Sequence, residues 1–225
     1  MYAKERTRSN PHAALKQAVD IILAKAHAHP TTYSFVVNYL LDGFETMGDT
    51  EMLMYISSLY ISESQCEHSE STTTLERKAL QNVHYTIGSA VPAYSAQTIS
   101  GTTIHSTLSK DAIEILVFWA TWCGHCTELT PKIATLYAKN PNVNYSLTFI
   151  SLDTEEAVFS SFLSEHQHLA NSNNVFDSKG WDSKLAEDFY VYASPTIFII
   201  KNGIIVAKPI DYESYTNALL QLGIL

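Results

Sequence analysis

Apolar positions recur at three-and-four spacing through the first third of the chain. Leu15, Ala18, Val19, Ile22, Leu23 and Ala26 form one stripe, behind Asn10 as N-cap and Pro11 at the first helical position. Phe35, Val36, Tyr39, Leu40, Phe44 and Met47 form a second, opened by Pro30 and stopped by Gly48. Leu53, Ile56, Leu59 and Tyr60 make a third behind Asp49. Thr73 with Glu76 reads as a capping box before a fourth, with Leu75, Ala79, Leu80 and Val83 on one face. The pattern predicts a small all-helical module over residues 1–87.

From Gly88 the chain turns to Ser, Thr and β-branched residues, and the period changes. The stretch AYSAQTISGTTIHSTLS predicts a short hairpin around Ser100-Gly101. Ile115–Ala120 is a continuous apolar run, suited to a central strand buried on both faces. A helix is expected from Cys123 to about Lys139, bent at Pro131, then a strand at Leu147–Leu152 and helices near Glu155–His166 and Asp182–Phe189. Thr196–Ile200 and Ile204–Lys208 flank Asn202-Gly203, a strong hairpin signal, and a last helix covers about Tyr212–Leu222. Residues 88–225 therefore read as an α/β domain with a largely parallel centre and an antiparallel hairpin at one side.

Composition narrows the function classes. A chain of 225 residues with 46% hydrophobic content can bury one good core and a smaller second one. The formal net charge of -9, with no Lys/Arg cluster, argues against nucleic acid. No run reaches the roughly 18 apolar residues of a membrane span. The N-terminal MYAKERTRSN is basic but has no apolar segment behind it, so it does not read as an export signal, and a cytoplasmic location stays open. Three cysteines are too few for a disulfide-stapled scaffold.

Two of the three stand in Cys123-Gly124-His125-Cys126, directly after the apolar run. If the pair opens a helix, residues at i and i+3 lie within the Cα separation a disulfide needs. Cys123 would sit among the unpaired N–H groups at the positive helix end, which stabilise a thiolate, while Cys126 would be buried one turn in. Cys123 would then attack and Cys126 would resolve the mixed disulfide. A zinc site would need two more ligands, and only Cys66 and scattered histidines are on offer. A pair of structural cysteines, or a permanent structural disulfide in a non-catalytic interaction module, is the remaining alternative.

ILVFWATWCGHC, Pro131 five residues after Cys126, and ASPTIFIIKNG resemble the thioredoxin superfamily over about Gly88 to Leu225. The preceding hairpin, the TLS before the central strand and the insertion ahead of DSKGWDS are most similar to its TlpA/ResA-like branch of bacterial extracytoplasmic thiol-disulfide oxidoreductases. The resemblance implies a thioredoxin fold, a central mixed sheet flanked by helices. It implies exchange with protein thiol or disulfide substrates, a redox partner that supplies or accepts electrons, no metal or organic cofactor, and a periplasmic or otherwise extracytoplasmic location. It also implies a cis Pro195 facing the cysteines, with Ser194 and Thr196 beside it pairing with an extended substrate, Trp119 beneath the site, and Trp122 shielding Cys123.

Two positions depart from the pattern. Val117 and Leu129 stand where relatives often carry an acid that takes the proton of the second cysteine. Glu128 is one position off, about 100° around the helix. His125, with Gly124, is the tuning element: an imidazolium at a helix start lowers the Cys123 pKa and makes the disulfide more oxidising. A peroxidatic Pro-x-x-x-Thr-x-x-Cys site is not matched, because Leu116 and Ala120 replace the Pro and Thr. Cys66 reads as a loop thiol, His166 and His168 as a solvated helix end, and Trp181 as a groove wall or a packing residue.

Overall fold

A computed structural model describes residues 11–64, 74–107, 112–141 and 145–225. Asn10, Thr73 and Cys66, singled out above, lie outside the described residues. The chain falls into two compact units, Met1–His84 and Tyr85–Leu225.

The first unit holds α1 (Pro11–Ala26), α2 (Pro30–Met47), α3 (Thr50–Ser64) and α4 (Thr74–His84). Gly48 ends α2 at φ +68°, a left-handed conformation that costs glycine little. Its N–H bonds to the Glu45 carbonyl and that of Asp49 to Phe44, both at 3.0 Å, closing a Schellman motif. Asp49 then turns its side chain forward and accepts from the Met52 N–H at 3.1 Å, so one helix stops and the next starts within two residues. Val19, Leu23, Val37, Leu41, Met52 and Ile56 form the core.

The buried face of α2 overlaps the expected one at Phe44, with Val36 and Leu40 at its edge, and is otherwise rotated from it. Tyr33, Val37, Leu41 and Phe44 are buried, whereas Phe35 and Tyr39 are 69% and 70% exposed. This helix carries apolar residues on two sides, so two stripes satisfy the same period and periodicity cannot choose between them. In α1, likewise, Val19, Leu23 and Ala26 are buried while Leu15 and Ile22 are exposed. α4 buries Lys78, whose ammonium reaches Asp42 at 2.5 Å and Glu45 at 3.0 Å.

The second unit begins with a hairpin of β1 (Ser95–Gln97) and β2 (Thr103–His105). Its sheet comprises β3 (Ile113–Trp119), β4 (Ser146–Ser151), β5 (Asn173–Val175), β6 (Thr196–Lys201) and β7 (Ile204–Ala207), in the order β5-β4-β3-β6-β7. Every residue of β3 is buried, as a central strand covered on both faces requires. On one face Ile115, Val117 and Trp119 pack with α5 (Gly124–Lys139), α6 (Glu156–Glu165), α7 (Gln167–Ala170) and α9 (Tyr212–Gln221). On the other, Leu116, Phe118, Ile150 and Phe198 pack with Tyr85, Tyr94, Phe189 and α8 (Lys184–Asp188). The expected helix near 155–166 continues as the separate α7, and the expected helix near 182–189 is a 3-10 turn at Gly180–Asp182 followed by α8.

The sheet is less parallel than expected. β3 pairs in parallel with β4, and β4 with β5, but β6 is antiparallel to both β3 and β7. A parallel crossover must carry the chain back along the length of the sheet. Between β5 and β6 there are only the 3-10 turn and five-residue α8, so the chain stays at one end of the sheet and β6 runs back from there. Thr196, its first residue, lies opposite Phe118 near the C-terminal end of β3. The hairpin between β6 and β7 turns at Asn202 and Gly203, at φ +55° and +75°, as the Asn-Gly pair predicts.

Candidate functional site

Where β3 gives way to α5, the chain presents both cysteines. Cys123 is the N-cap of α5, with extended backbone at φ -91° and ψ 104°. Its Sγ accepts from the Cys126 N–H at 3.3 Å, occupying the position where a capping oxygen would satisfy a free helix amide. The two are joined by a disulfide, with Cα atoms 5.2 Å apart. Cys123 is half-buried, whereas Cys126 is 0% exposed and packs with Val117, Trp119, Leu129 and Ile133. The two sulfurs therefore differ in solvent access and in their place on the helix.

The loop before β6 approaches from the other side. The Ser194 carbonyl oxygen is 3.4 Å from Cys123 Sγ, and the Ser194–Pro195 bond is cis. Ser194, Pro195 and Thr196 are half-buried, and the Thr196 hydroxyl donates to the Ala193 carbonyl at 2.8 Å. Trp122 is 58% exposed, with its ring 6.0 Å from that of Trp181. The turn carrying Trp181 depends on Gly180, at φ +59°, where a Cβ would sit 3.1 Å from both the Leu152 carbonyl oxygen and Thr154 Cγ2. Gly124 has open space around it.

Two carboxylates near the site gave no sequence signal. Asp153, just past β4, is buried and accepts from the Thr121 N–H at 3.1 Å, the Thr121 hydroxyl at 2.6 Å and the Ser151 hydroxyl at 2.7 Å. It ties the residues just before Cys123 to the end of the neighbouring strand. Asp211, the N-cap of α9, is held below the usual carboxylate range chiefly by the hydroxyl and N–H of Ser214, with a smaller pull from His125. An acid thus lies within electrostatic reach of the exposed His125. Val117 and Leu129 remain apolar beneath Cys126, and Glu128 is exposed.

His166 stacks on Phe162 at 4.2 Å and its Nδ1 is 2.9 Å from the Phe162 carbonyl oxygen. Among the described residues, no three His, Cys, Asp or Glu side chains converge as metal ligands. No helix there is long and apolar enough to cross a membrane.

A cysteine pair at the helix N-terminus, set at the C-terminal end of a central strand and faced by a cis-proline loop, defines a thioredoxin-fold protein. The chain belongs to the AhpC/TSA family, whose pattern matches residues 87–208, and is a TlpA/ResA-like member of the thioredoxin superfamily. It is 33% identical over 89 residues to the thiol-disulfide oxidoreductase ResA of Oceanobacillus iheyensis, covering 38% of this chain and 46% of that one. The chain thus spans just under half the length of that relative. It is 30% identical over 140 residues to a DsbE homologue, a thiol:disulfide interchange protein of Paracoccus denitrificans, covering 60% and 73%. The thioredoxin domain of a thiol-disulfide oxidoreductase from Bacteroides vulgatus shares the fold, with a TM-score of 0.53 at 21% identity over 61% of this chain and 97% of the other.

Proposed function

We propose that this chain is a thiol-disulfide oxidoreductase that exchanges the Cys123–Cys126 pair with cysteines of protein substrates. The observation that carries the reading is the asymmetry of the pair: a half-exposed sulfur capping a helix amide, next to one with no solvent access. In the reducing direction, the Cys123 thiolate attacks a substrate disulfide, forming one S–S bond and expelling one substrate thiolate. Cys126 then loses its proton and attacks Cys123 Sγ, and the second substrate sulfur leaves. Two electrons and two protons pass to the substrate. Val117 and Leu129 beneath Cys126 are apolar and take no proton, so that proton leaves to a water or to the His125 imidazole.

Trp122, Ser194, Pro195 and Thr196 form the substrate face. The Ser194 carbonyl beside Cys123 suits pairing with an extended chain, and His125, with Gly124, tunes the pair. The reaction is assigned to a thioredoxin-like domain over 88–225, with the helical module of 1–87 taking no part in the chemistry. The cycle needs a redox partner to restore the pair. The resemblance to the TlpA/ResA branch supports an extracytoplasmic location.

Turnover of insulin with dithiothreitol is the direct test, because a permanent structural disulfide would not turn over. Timed alkylation of the reduced protein by iodoacetamide, read by mass spectrometry, should label Cys123 first. Faster labelling of Cys126 or Cys66 overturns the assignment of roles.

A further inference from the structure

Beside the cysteines runs a groove of about 660 Å³ that the exchange step itself does not use. Thr121 and Trp122 form its wall nearest the site, and one face of α6 forms the other. Its apolar surface comes from the exposed Trp122, from Val158, 48% exposed, and from the half-buried Phe162. Glu155 and Glu165 also line it, both exposed, and no Lys, Arg or His is among its lining residues. Asp153 lies in the same wall, but its oxygens are already taken by Thr121 and Ser151.

We infer that this groove selects substrate segments that carry positive charge, an apolar residue lying against Trp122, Val158 and Phe162 while Lys or Arg side chains meet Glu155 and Glu165. The inference rests on the exchange function proposed above and names the substrates that function favours. Continuity supports it, since Trp122 precedes Cys123 and belongs to both surfaces, so a chain held in the groove has its cysteine delivered to the attacking sulfur. Charge complementarity supports it as well, because a segment with acidic flanks would meet two carboxylates and no compensating cation.

The geometry also sets a spacing. Glu155 immediately precedes α6 and Glu165 is its last residue, about 15 Å apart at the helical rise. An extended chain covers that distance in four to five residues. The favoured segment has basic residues four to five positions apart, on one side of the target cysteine, with an apolar residue between them.

The test uses the full chain and matched peptides, each with one disulfide and a leucine between two variable positions four residues apart, filled by Lys, Gln or Glu. At low salt, kcat/KM is expected to fall in that order, about tenfold from Lys to Glu, equivalent to about 1.4 kcal/mol. The spread should shrink toward unity in about 1 M salt, where exposed charges are screened within a few ångströms, and in the double variant Glu155→Gln, Glu165→Gln. A spread that persists in the double variant, or peptides turned over without regard to charge, overturns the groove assignment and leaves the exchange function standing. If neither the peptides nor a small uncharged disulfide is reduced, both readings fall.

Discussion

The helical unit and the α/β unit contain similar polar groups and use them differently. In the first, the polar contacts join one helix to another: His12 lies 3.0 Å from Asp49 and 3.2 Å from Glu51, Lys16 bonds Glu51 at 2.8 Å, and Lys78 bridges Asp42 and Glu45. The His12 and Lys16 contacts are partly exposed and contribute little, whereas the buried Lys78 ammonium depends on its two carboxylates. In the second, the buried Asp153 accepts from Thr121, whose next two neighbours are Trp122 and Cys123, and from Ser151 at the end of the neighbouring strand. A reactive turn must be both accessible and fixed. Backbone ladders cannot supply the fixing where a strand ends, so a buried carboxylate does.

This contrast can be broken most severely at Cys123. Cys123→Ser is expected to lower insulin reduction by more than about a thousandfold while leaving the fold intact, because the serine hydroxyl can still cap α5. Cys126→Ser should instead trap mixed disulfides, visible as adducts by mass. Next comes the helical core. Leu41→Ala should cost about 2–5 kcal/mol of that unit's stability in a denaturant titration followed by circular dichroism. If the reduction potential of the cysteine pair moves with it, the division of roles between the units is wrong.

Asp153→Ala leaves the Thr121 and Ser151 donors without their acceptor, at a cost of about 1–3 kcal/mol. It should also slow alkylation of Cys123, since the turn is no longer anchored. Equal alkylation rates would mean that Asp153 is a structural group only. His125→Pro sits in the first turn of α5, where proline is tolerated, and removes the imidazole. The potential should become more negative by tens of millivolts, with 30 mV being about 1.4 kcal/mol for two electrons.

A further effect is with pH. Burial, and then the nearby Tyr190 and Asp188, push the Tyr85 phenol up to about 12. Its folded pKa lies above the unfolded value near 10, so the folded state retains the proton longer. The stability it contributes is full below pH 10 and declines as pH rises from there toward 12. Alkaline unfolding of the α/β unit should therefore start near pH 10, and Tyr85→Phe should flatten that slope.

Much of this was legible from local pattern. The apolar run into Cys123 fixed a central strand and a helix start, and Gly48 and Asn202-Gly203 marked their turns because backbone conformation there demands those residues. What was not legible depends on tertiary placement. β5 is three residues long with two asparagines and has no alternation to detect. The direction of β6 follows from the shortness of the connection before it, and the choice of face in α2 follows from what packs on it. Asp153 and Asp211 are ordinary aspartates in sequence, and only the folded chain brings them to Thr121 and within reach of His125.

An exposed tryptophan next to a reactive sulfur also invites a second copy of the same chain to dock and cross-link. Self-association most often takes a two-fold form, in which each patch meets its own image. Across such an axis Glu155 and Glu165 would face carboxylates of the same kind, on molecules that each carry a net charge of -9. The acidic rim therefore sets like charges against each other across any two-fold contact at Trp122, which opposes pairing of the chain with itself through this surface.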